Sequence, residues 1–553
     1  MGWRLFQVQV VQASELAAEG EEQRLTRREL APERGTIFDR NGDPLAMTVE
    51  AVTVYADPVA VADPLYVAQR VAALTGRDYA ALHQALLRAS EGGSRFVYLA
   101  RQIEPEVADQ VLALEMPGVF AVPEPKREYP GGALASPVVG VASLDGEGLE
   151  GLEFVYEDLL RGTPGWLEYE RDRAGRPIPQ GFRQVVAAVP GEDLVTTVDL
   201  SLQYAAADAC AATVERTGAR ACWIVVLQPE TGEVLALAGT PVFDPVTRTS
   251  PDGRFDNFAV RGMYEPGSTQ KLITIAAALD TETVGVSTVV PAVADRYEVT
   301  PGACASADDD IYGCFGDFAK HETRDMTVQE IFTESSNVGT IKISERLPDG
   351  ALLRYMEAFG LGRATGIDFN GEAAGTIRVD AGCSSCLAST AIGYSVAVTP
   401  LQIAAAYAAV ANDGEWVQPY LVGSRVDADG RVEPFVPERR RVVSEQTAWV
   451  VRQLLTRVVD EGTGRQARIP GYRVGGKTGT ADKLGPDGVY TEETIASFVG
   501  MAPIDDPKVV VAVVVDDPTY EYRTGGLAAA PAFAEVMEAA LHQLGVTPDG
   551  IEG

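Results

Sequence analysis

Apolar residues recur at helical spacing in Leu65–Leu74, Tyr79–Leu87 and Val107–Leu114, which predicts three amphipathic helices early in the chain. Ahead of them, Arg40-Asn-Gly42 is a hairpin-turn signal flanked by the strand-like Thr36-Ile-Phe38 and Val52-Thr-Val-Tyr55. A turn-rich zone runs from Arg127-Glu-Tyr-Pro-Gly131 through Gly146–Glu153 to the Gly162–Gly165 bend, so this first part reads as an extended mixed module that borrows stability from its neighbours. The pattern changes near Pro190-Gly-Glu-Asp193. Beyond it, Leu194–Val198 reads as a strand, Ser201–Val214 as an amphipathic helix, and Cys222–Leu227 with Glu233–Leu237 as a buried hairpin around Pro229-Glu-Thr-Gly232. Helical segments fill most of the middle of this second part, and the strands Ala496–Gly500 and Val509–Val515 with a helix over Ala530–Leu544 close the chain. Sheet pieces at both ends of a helical stretch predict an α+β domain whose sheet is assembled from distant parts. The expected division is 1–189 for a non-catalytic module, 190–546 for the main domain and 547–553 for a short tail.

At 553 residues the chain exceeds one ordinary core, and its 46% hydrophobic and 23% charged residues make an ordinary globular composition. A formal charge of −33 opposes nucleic-acid binding, and the short run Arg439-Arg-Arg441 reads as a solvated face rather than a phosphate patch. The acidity reads as an adaptation of solubility or environment and says little about chemistry. No apolar stretch reaches the ~18 residues that span a bilayer, and Met1–Val11 is too short and too polar for an anchor or a signal peptide.

The histidines, His83, His321 and His542, are too scattered for a Ser-His-Asp triad or a histidine-rich metal site. Six cysteines fall into local pairs, Cys210/Cys222, Cys304/Cys314 and Cys383/Cys386. That arrangement favours disulfides in an oxidising compartment, while the Cys-x-x-Cys spacing at 383 to 386 together with another pair also suits zinc.

Lysine is scarce: seven among the 46 basic residues, at 126, 271, 320, 342, 477, 483 and 508. One of them, Lys271, stands three residues after Ser268 in Tyr264-Glu-Pro-Gly-Ser-Thr-Gln-Lys-Leu272, ahead of the apolar run Ile273–Leu279. Residues i and i+3 share a helix face, so Ser268 in a first turn would have the Lys271 amine beside its hydroxyl as nucleophile and base. An amine can shed its proton where a guanidinium cannot. Alone, Ser-x-x-Lys equally describes a capping serine and a solvated lysine. It gains meaning from Ser335-Ser-Asn337 and Lys477-Thr-Gly-Thr480, which come after it in that order.

These three motifs in this order resemble those of the penicillin-recognising serine enzymes. Arg34–Gly42, Arg127–Gly131, Gly148–Glu153, Thr399-Pro-Leu-Gln402 and Ala529–Phe533 narrow the resemblance to class B penicillin-binding proteins, the monofunctional peptidoglycan transpeptidases, most similar to the cell-division type. The resemblance covers residues 20 to 545 and implies a dimerisation-type pedestal followed by a transpeptidase domain with a central antiparallel sheet flanked by helices.

It further implies that Ser268 attacks a D-alanyl carbonyl, Lys271 takes its proton, Ser335 relays the proton, and Asn337 holds a substrate amide. Lys477, Thr478, Gly479 and Thr480 would engage the terminal carboxylate, and the backbone amides of Ser268 and Thr480 the oxyanion. Lys271 must be held neutral for this, with burial and repulsion from Lys477 as the available causes. Glu265, Gln402 and Tyr394 are expected to support the site, with Tyr394 near the cleft.

No cofactor and no metal is expected. The implied partners are stem peptides, lipid-linked precursor or nascent glycan, β-lactams, a glycosyltransferase and division-complex membrane proteins, on the outer face of the cytoplasmic membrane. A β-lactamase, a D,D-carboxypeptidase and a non-enzymatic sensor or scaffold are the competing readings. Residues 3 to 35 resemble the segment that follows the family's membrane anchor, so the chain is expected to start just after one. The acidic Asp308-Asp-Asp310, bracketed by Cys304 and Cys314, is expected to form a disulfide-closed surface loop near the cleft. Unreduced, denatured protein should show fewer than six reactive thiols on titration; reaction of all six would remove the disulfides.

Overall fold

The computed structural model describes residues 24–172, 178–250, 257–305, 313–378, 383–485 and 489–549. A five-stranded antiparallel sheet organises the C-terminal part, in the order Val234–Thr240, Ala221–Leu227, Val509–Asp516, Tyr490–Ala502, Gly475–Leu484. Its middle strand is nearly all valine because both faces are covered. Val510, Ala512 and Val514 pack into one core with the helices Lys271–Asp280, Pro400–Ala411 and Glu445–Asp460. Val509, Val511, Val513 and Val515 pack into a second core with the helices Leu200–Thr217 and Ala530–Gln543. The period-two alternation of a strand thus separates two hydrophobic layers.

The helix Pro400–Ala411 is buried along its whole length, which explains a sequence apolar on every side. Its start is a capping box, with the Thr399 hydroxyl accepting from Gln402 N and the Gln402 side chain accepting from Thr399 N. The Gln402 amide also donates to the carbonyls of Arg363 and Ala374, so this residue is structural.

The predicted helices of the N-terminal part form as Pro64–Thr75, Tyr79–Glu91 and Pro105–Leu112. They cover a three-stranded sheet ordered Val97–Ile103, Val52–Ala56, Val119–Pro123 and enclose a small core of their own. The hairpin at Arg40–Gly42 is present, but the strand paired with Ile37–Phe38 is Pro44–Val49, not Val52–Tyr55. Pro44 hides that partner in the sequence, because proline is tolerated at the first position of a strand yet weakens a strand reading.

A six-stranded sheet takes strands from both sides of Pro190–Asp193, in the order Val432–Pro434, Val422–Val426, Asp193–Thr196, Ile37–Phe38, Pro44–Val49, Lys126–Glu128. Beside it lies a buried ionic knot. Arg34 Nε donates to Glu153 Oε2 at 2.7 Å, Arg127 Nε to Glu153 Oε1 at 2.7 Å, and Arg34 Nη1 to Glu157 Oε2 at 2.7 Å. The segments Arg34–Gly42, Arg127–Gly131 and Gly148–Glu153 converge here, at a structural junction.

Disulfides join Cys210 to Cys222, Cys304 to Cys314 and Cys383 to Cys386. The first ties the helix Leu200–Thr217 to the strand Ala221–Leu227. Asp308–Asp310, the chain start 1–23 and the last residues 550–553 lie outside the described residues. Among the described residues no helix is long and apolar enough to cross a membrane.

Glu153 has no exposed surface and serves two arginines, so its loss leaves buried cations unpaired. Glu153→Ala should lower unfolding stability by about 3 to 5 kcal/mol in denaturant titration. A loss below about 1 kcal/mol, the scale of an exposed pair, would contradict this role.

Candidate active site

Ser268 lies in a 3₁₀ turn, Gly267–Gln270, and Lys271 is the first residue of the α-helix that continues it. The tighter turn differs from the α-helical first turn expected of the sequence. Thr269 Oγ1 donates to Pro266 O at 2.8 Å, and the buried Tyr407 hydroxyl donates to Thr269 O at 2.9 Å, so the turn is held from within and from behind. Two glycines allow its surroundings to close in. Gly267 N donates to Gly393 O at 3.0 Å, and a Cβ on Gly393 would stand 2.0 Å from Gly267 O. Gly267 itself has φ +52°, and a Cβ there would meet Thr480 O at 2.8 Å.

Thr480 belongs to the strand Gly475–Leu484, the edge strand of the sheet. Lys477, Thr478, Gly479 and Thr480 therefore sit inside a strand, with Lys477 opposite Val499 and Thr480 opposite Ala496. The 3₁₀ turn packs against this strand. Ser268 and Thr480 are each half-buried on the seam, while Lys477 is fully buried. Thr478 Oγ1 lies 2.7 Å from Thr463 Oγ1, and Thr480 Oγ1 accepts from Gly525 N at 3.3 Å.

Ser335 joins the two lysines. Lys477 Nζ donates to Ser335 Oγ at 2.7 Å, and Lys271 Nζ donates to Ser335 O at 2.6 Å with Oγ at 3.4 Å. Ser335 ends the helix Val328–Glu334 in the left-handed region, φ 62°, and Ser336 caps the next helix, Asn337–Ser344, through a bond from Gly339 N at 2.9 Å. The Ser-x-Asn motif is thus the bend between two helices. Asn337 Nδ2 donates to Gly316 O at 2.7 Å. The three motifs meet, but the Lys271 amine points its hydrogen bonds at Ser335, and among the described residues Ser268 Oγ has no hydrogen-bond partner.

Burial lowers the Lys271 pKa to about 7, with Asp317 pulling it up. The Lys477 pKa is also far below normal, from burial first and from the charge of Lys271 second. The nitrogens lie within roughly 6 Å of each other, where like charges at an effective dielectric near 20 repel by about 3 kcal/mol. Of the two causes expected from the sequence, burial is the one that lowers Lys271, and the repulsion between the amines is second to burial at Lys477.

At the rim, the Glu265 carboxylate accepts from Ser395 N at 2.8 Å and from the Tyr490 hydroxyl at 2.9 Å, and burial raises its pKa. The Tyr394 ring meets Tyr490 edge-on at 5.9 Å. One residue with no signal in the sequence stands beside the motifs. Asp317 Oδ1 accepts from Asn337 N at 2.5 Å, and Oδ2 accepts from Ser336 Oγ at 2.7 Å. Nothing in a 20-residue separation marks an aspartate as the partner of a distant helix start.

Residues 222–538 match the penicillin binding protein transpeptidase domain, and residues 29–196 match the penicillin-binding protein dimerisation domain. The chain belongs to this family. It is 35% identical to stage V sporulation protein D of Bacillus subtilis over 99% of this chain and 83% of that protein. It is 31% identical to the peptidoglycan D,D-transpeptidase FtsI of Escherichia coli over 99% and 90% of the two chains. Among solved structures, penicillin binding protein 3 of Mycobacterium tuberculosis, complexed with ampicillin, aligns with a TM-score of 0.73 at 29% identity over 95% of this chain and 98% of that one. The family accounts for both halves of the architecture, the pedestal-type module and the sheet-centred transpeptidase domain.

The depressed pKa of Lys271 is also a statement about stability. Between pH 7 and 10 the unfolded chain binds a proton at this amine that the folded chain does not, so stability rises with pH across that window. Lys271→Met should remove a rise on the order of 4 to 5 kcal/mol from the pH dependence of unfolding. Parallel wild-type and variant curves between pH 7 and 10 would refute a depressed amine.

Proposed function

We propose that this protein is a serine-type D-Ala-D-Ala transpeptidase that cross-links peptidoglycan stem peptides and is acylated by β-lactams. The observation that carries the reading is the meeting of Lys271 and Lys477 at Ser335, beside a partly exposed Ser268 and the KTGT edge strand. Membership of the family and the transpeptidase name of the Escherichia coli relative support it.

Lysine with its ordinary pKa is neutral in only about one molecule in 2,500 at pH 7. With its pKa near 7, Lys271 is neutral in about half. The neutral amine takes the Ser268 proton as Oγ adds to the carbonyl carbon of the penultimate D-alanine. The negative oxygen that forms is received by the backbone amides of Ser268 and Thr480 on the seam between turn and strand. Collapse of the tetrahedral adduct breaks the peptide bond. The departing D-alanine nitrogen takes a proton passed through Ser335, whose hydroxyl is within reach of both amines.

Lys477, Thr478, Gly479 and Thr480 hold the terminal carboxylate, and Asn337 holds a backbone amide of the stem peptide once its bond to Gly316 is exchanged. An amine of a second stem peptide then attacks the ester on Ser268, frees the hydroxyl and leaves a cross-link. The setting we assign is the outer face of the cytoplasmic membrane, in septal wall synthesis, beside a glycosyltransferase and other division-complex proteins that extend the glycan from lipid-linked precursor.

Labelling with a fluorescent penicillin should give a stable covalent adduct that is lost in Ser268→Ala; folded wild-type protein without an adduct refutes the reading. Lys271→Arg should lower the acylation rate by about a hundredfold or more, the scale of general-base catalysis, since arginine keeps its proton. The wild-type rate should rise with pH through about 7 as the amine loses its proton. Retained labelling in Lys271→Arg would remove Lys271 as the base.

A further inference from the structure

Asp317 directly succeeds the short strand Cys314–Gly316, which pairs with Arg296–Glu298 and is tied through Cys314 to Cys304. Its side chain is 7% exposed. Oδ1 accepts from the backbone amides of Asn337 at 2.5 Å and Val338 at 3.0 Å, while Oδ2 accepts from Ser336 Oγ at 2.7 Å and lies 3.0 Å from His321 Nε2. Ser336 already caps this helix through Gly339 N, so the carboxylate is a second anchor, reaching amides that the cap leaves free. A full negative charge at a helix start adds to the hydrogen bonds themselves.

The residue just before these contacts is Ser335, whose left-handed backbone is unfavourable for a residue with a Cβ and persists only where the surroundings enforce it. Bonds to residues 336, 337 and 338 pin the far side of that bend. Ser335 in turn carries the contacts to Lys271 and Lys477.

His321 completes the arrangement. Its Nδ1 lies 2.9 Å from the carbonyl of Glu322, and its Nε2 faces the Asp317 carboxylate. Both partners only accept, so both ring nitrogens must donate, and the geometry calls for the imidazolium. The upward shift of the His321 pKa, from the Glu322 carbonyl first and Asp317 second, agrees. Among the described residues, the charged groups that act on this pair are the Lys271 amine, which feels Asp317, and Arg324, which pairs with Glu334 and opposes the charge on His321.

We propose that Asp317 is a positioning residue of this active site, anchoring the Ser335–Asn337 bend that meets the two lysines and acting as a counter-charge to Lys271, with the His321 imidazolium as its partner. The proposal rests on the reading of Lys271 as the base. Asp317 draws the Lys271 proton tighter while burial loosens it. His321 weakens that pull by neutralising Asp317. Asp317 and His321 thereby act on Lys271 in opposite directions.

The test is the acylation rate with a chromogenic cephalosporin, followed against pH in wild type, Asp317→Asn, Asp317→Glu and His321→Gln. Asp317→Asn should move the acid limb to lower pH by about one unit and lower the plateau. Asp317→Glu should restore the limb to its wild-type position. His321→Gln should move it to higher pH. A purely structural anchor would lose plateau rate with the limb unmoved, and that result, or movement of both limbs in one direction, overturns the proposal. Thermal melting and adduct stoichiometry report folding; should Asp317→Asn not fold, His321→Gln, on a partly exposed side chain, decides alone. Wild type that is never acylated, or acylation that survives in Lys271→Arg, would instead defeat the functional reading on which this proposal stands.

Discussion

Two amines buried around one hydroxyl form the constraint on which the rest of this site depends. Water cannot reach Lys271 or Lys477, and both reach towards Ser335. Holding both ammonium groups there would add their mutual repulsion to two desolvation costs, so the pair is driven to release a proton near neutrality. Within the proposed mechanism, the same expense that makes the site unfavourable to fold makes it reactive, because an amine stripped of its proton is a base.

The scaffold can carry that cost because its elements are covered on nearly every side. The valines of Val509–Asp516 divide into two cores, and the fully buried helix Pro400–Ala411 backs the Ser268 turn through Tyr407. Such a frame leaves little room for the Ser268 turn, the edge strand and the Ser335 bend to drift apart. The close backbone approaches at Gly267 and Gly393 make the spacing tighter than side chains alone would permit. Far from this chemistry, the Arg34–Glu153–Arg127 knot and the sheet shared across Pro190–Asp193 do comparable work. Motifs that point to the family as strongly as the catalytic ones therefore prove to be joints between elements.

The three short motifs, their order along the chain and the scarcity of lysine are legible in the sequence alone, because the chemistry needs particular residue types at particular local spacings. So are the helices and strands whose hydrophobic period is clean, such as Tyr79–Glu91 and Val509–Asp516. Local pattern fails where distant partners decide. Pro44–Val49 is a strand because Ile37–Phe38 and Lys126–Glu128 lie on either side of it. The Ser268 turn is 3₁₀ rather than α, in a setting where Tyr407 holds its Thr269 carbonyl and the KTGT strand lies against it.

The sequence by itself determined which groups are available: a serine, two lysines, a second serine and an asparagine, carried on elements that their own periodicity specifies. Only the tertiary structure decided their state. It placed both amines out of reach of water, made burial rather than mutual repulsion the main reason the Lys271 proton is loosely held, and set Asp317 and His321 beside the bend. Desolvation and Coulomb interactions depend on what surrounds a group in space, and those neighbours come from segments far apart in the chain.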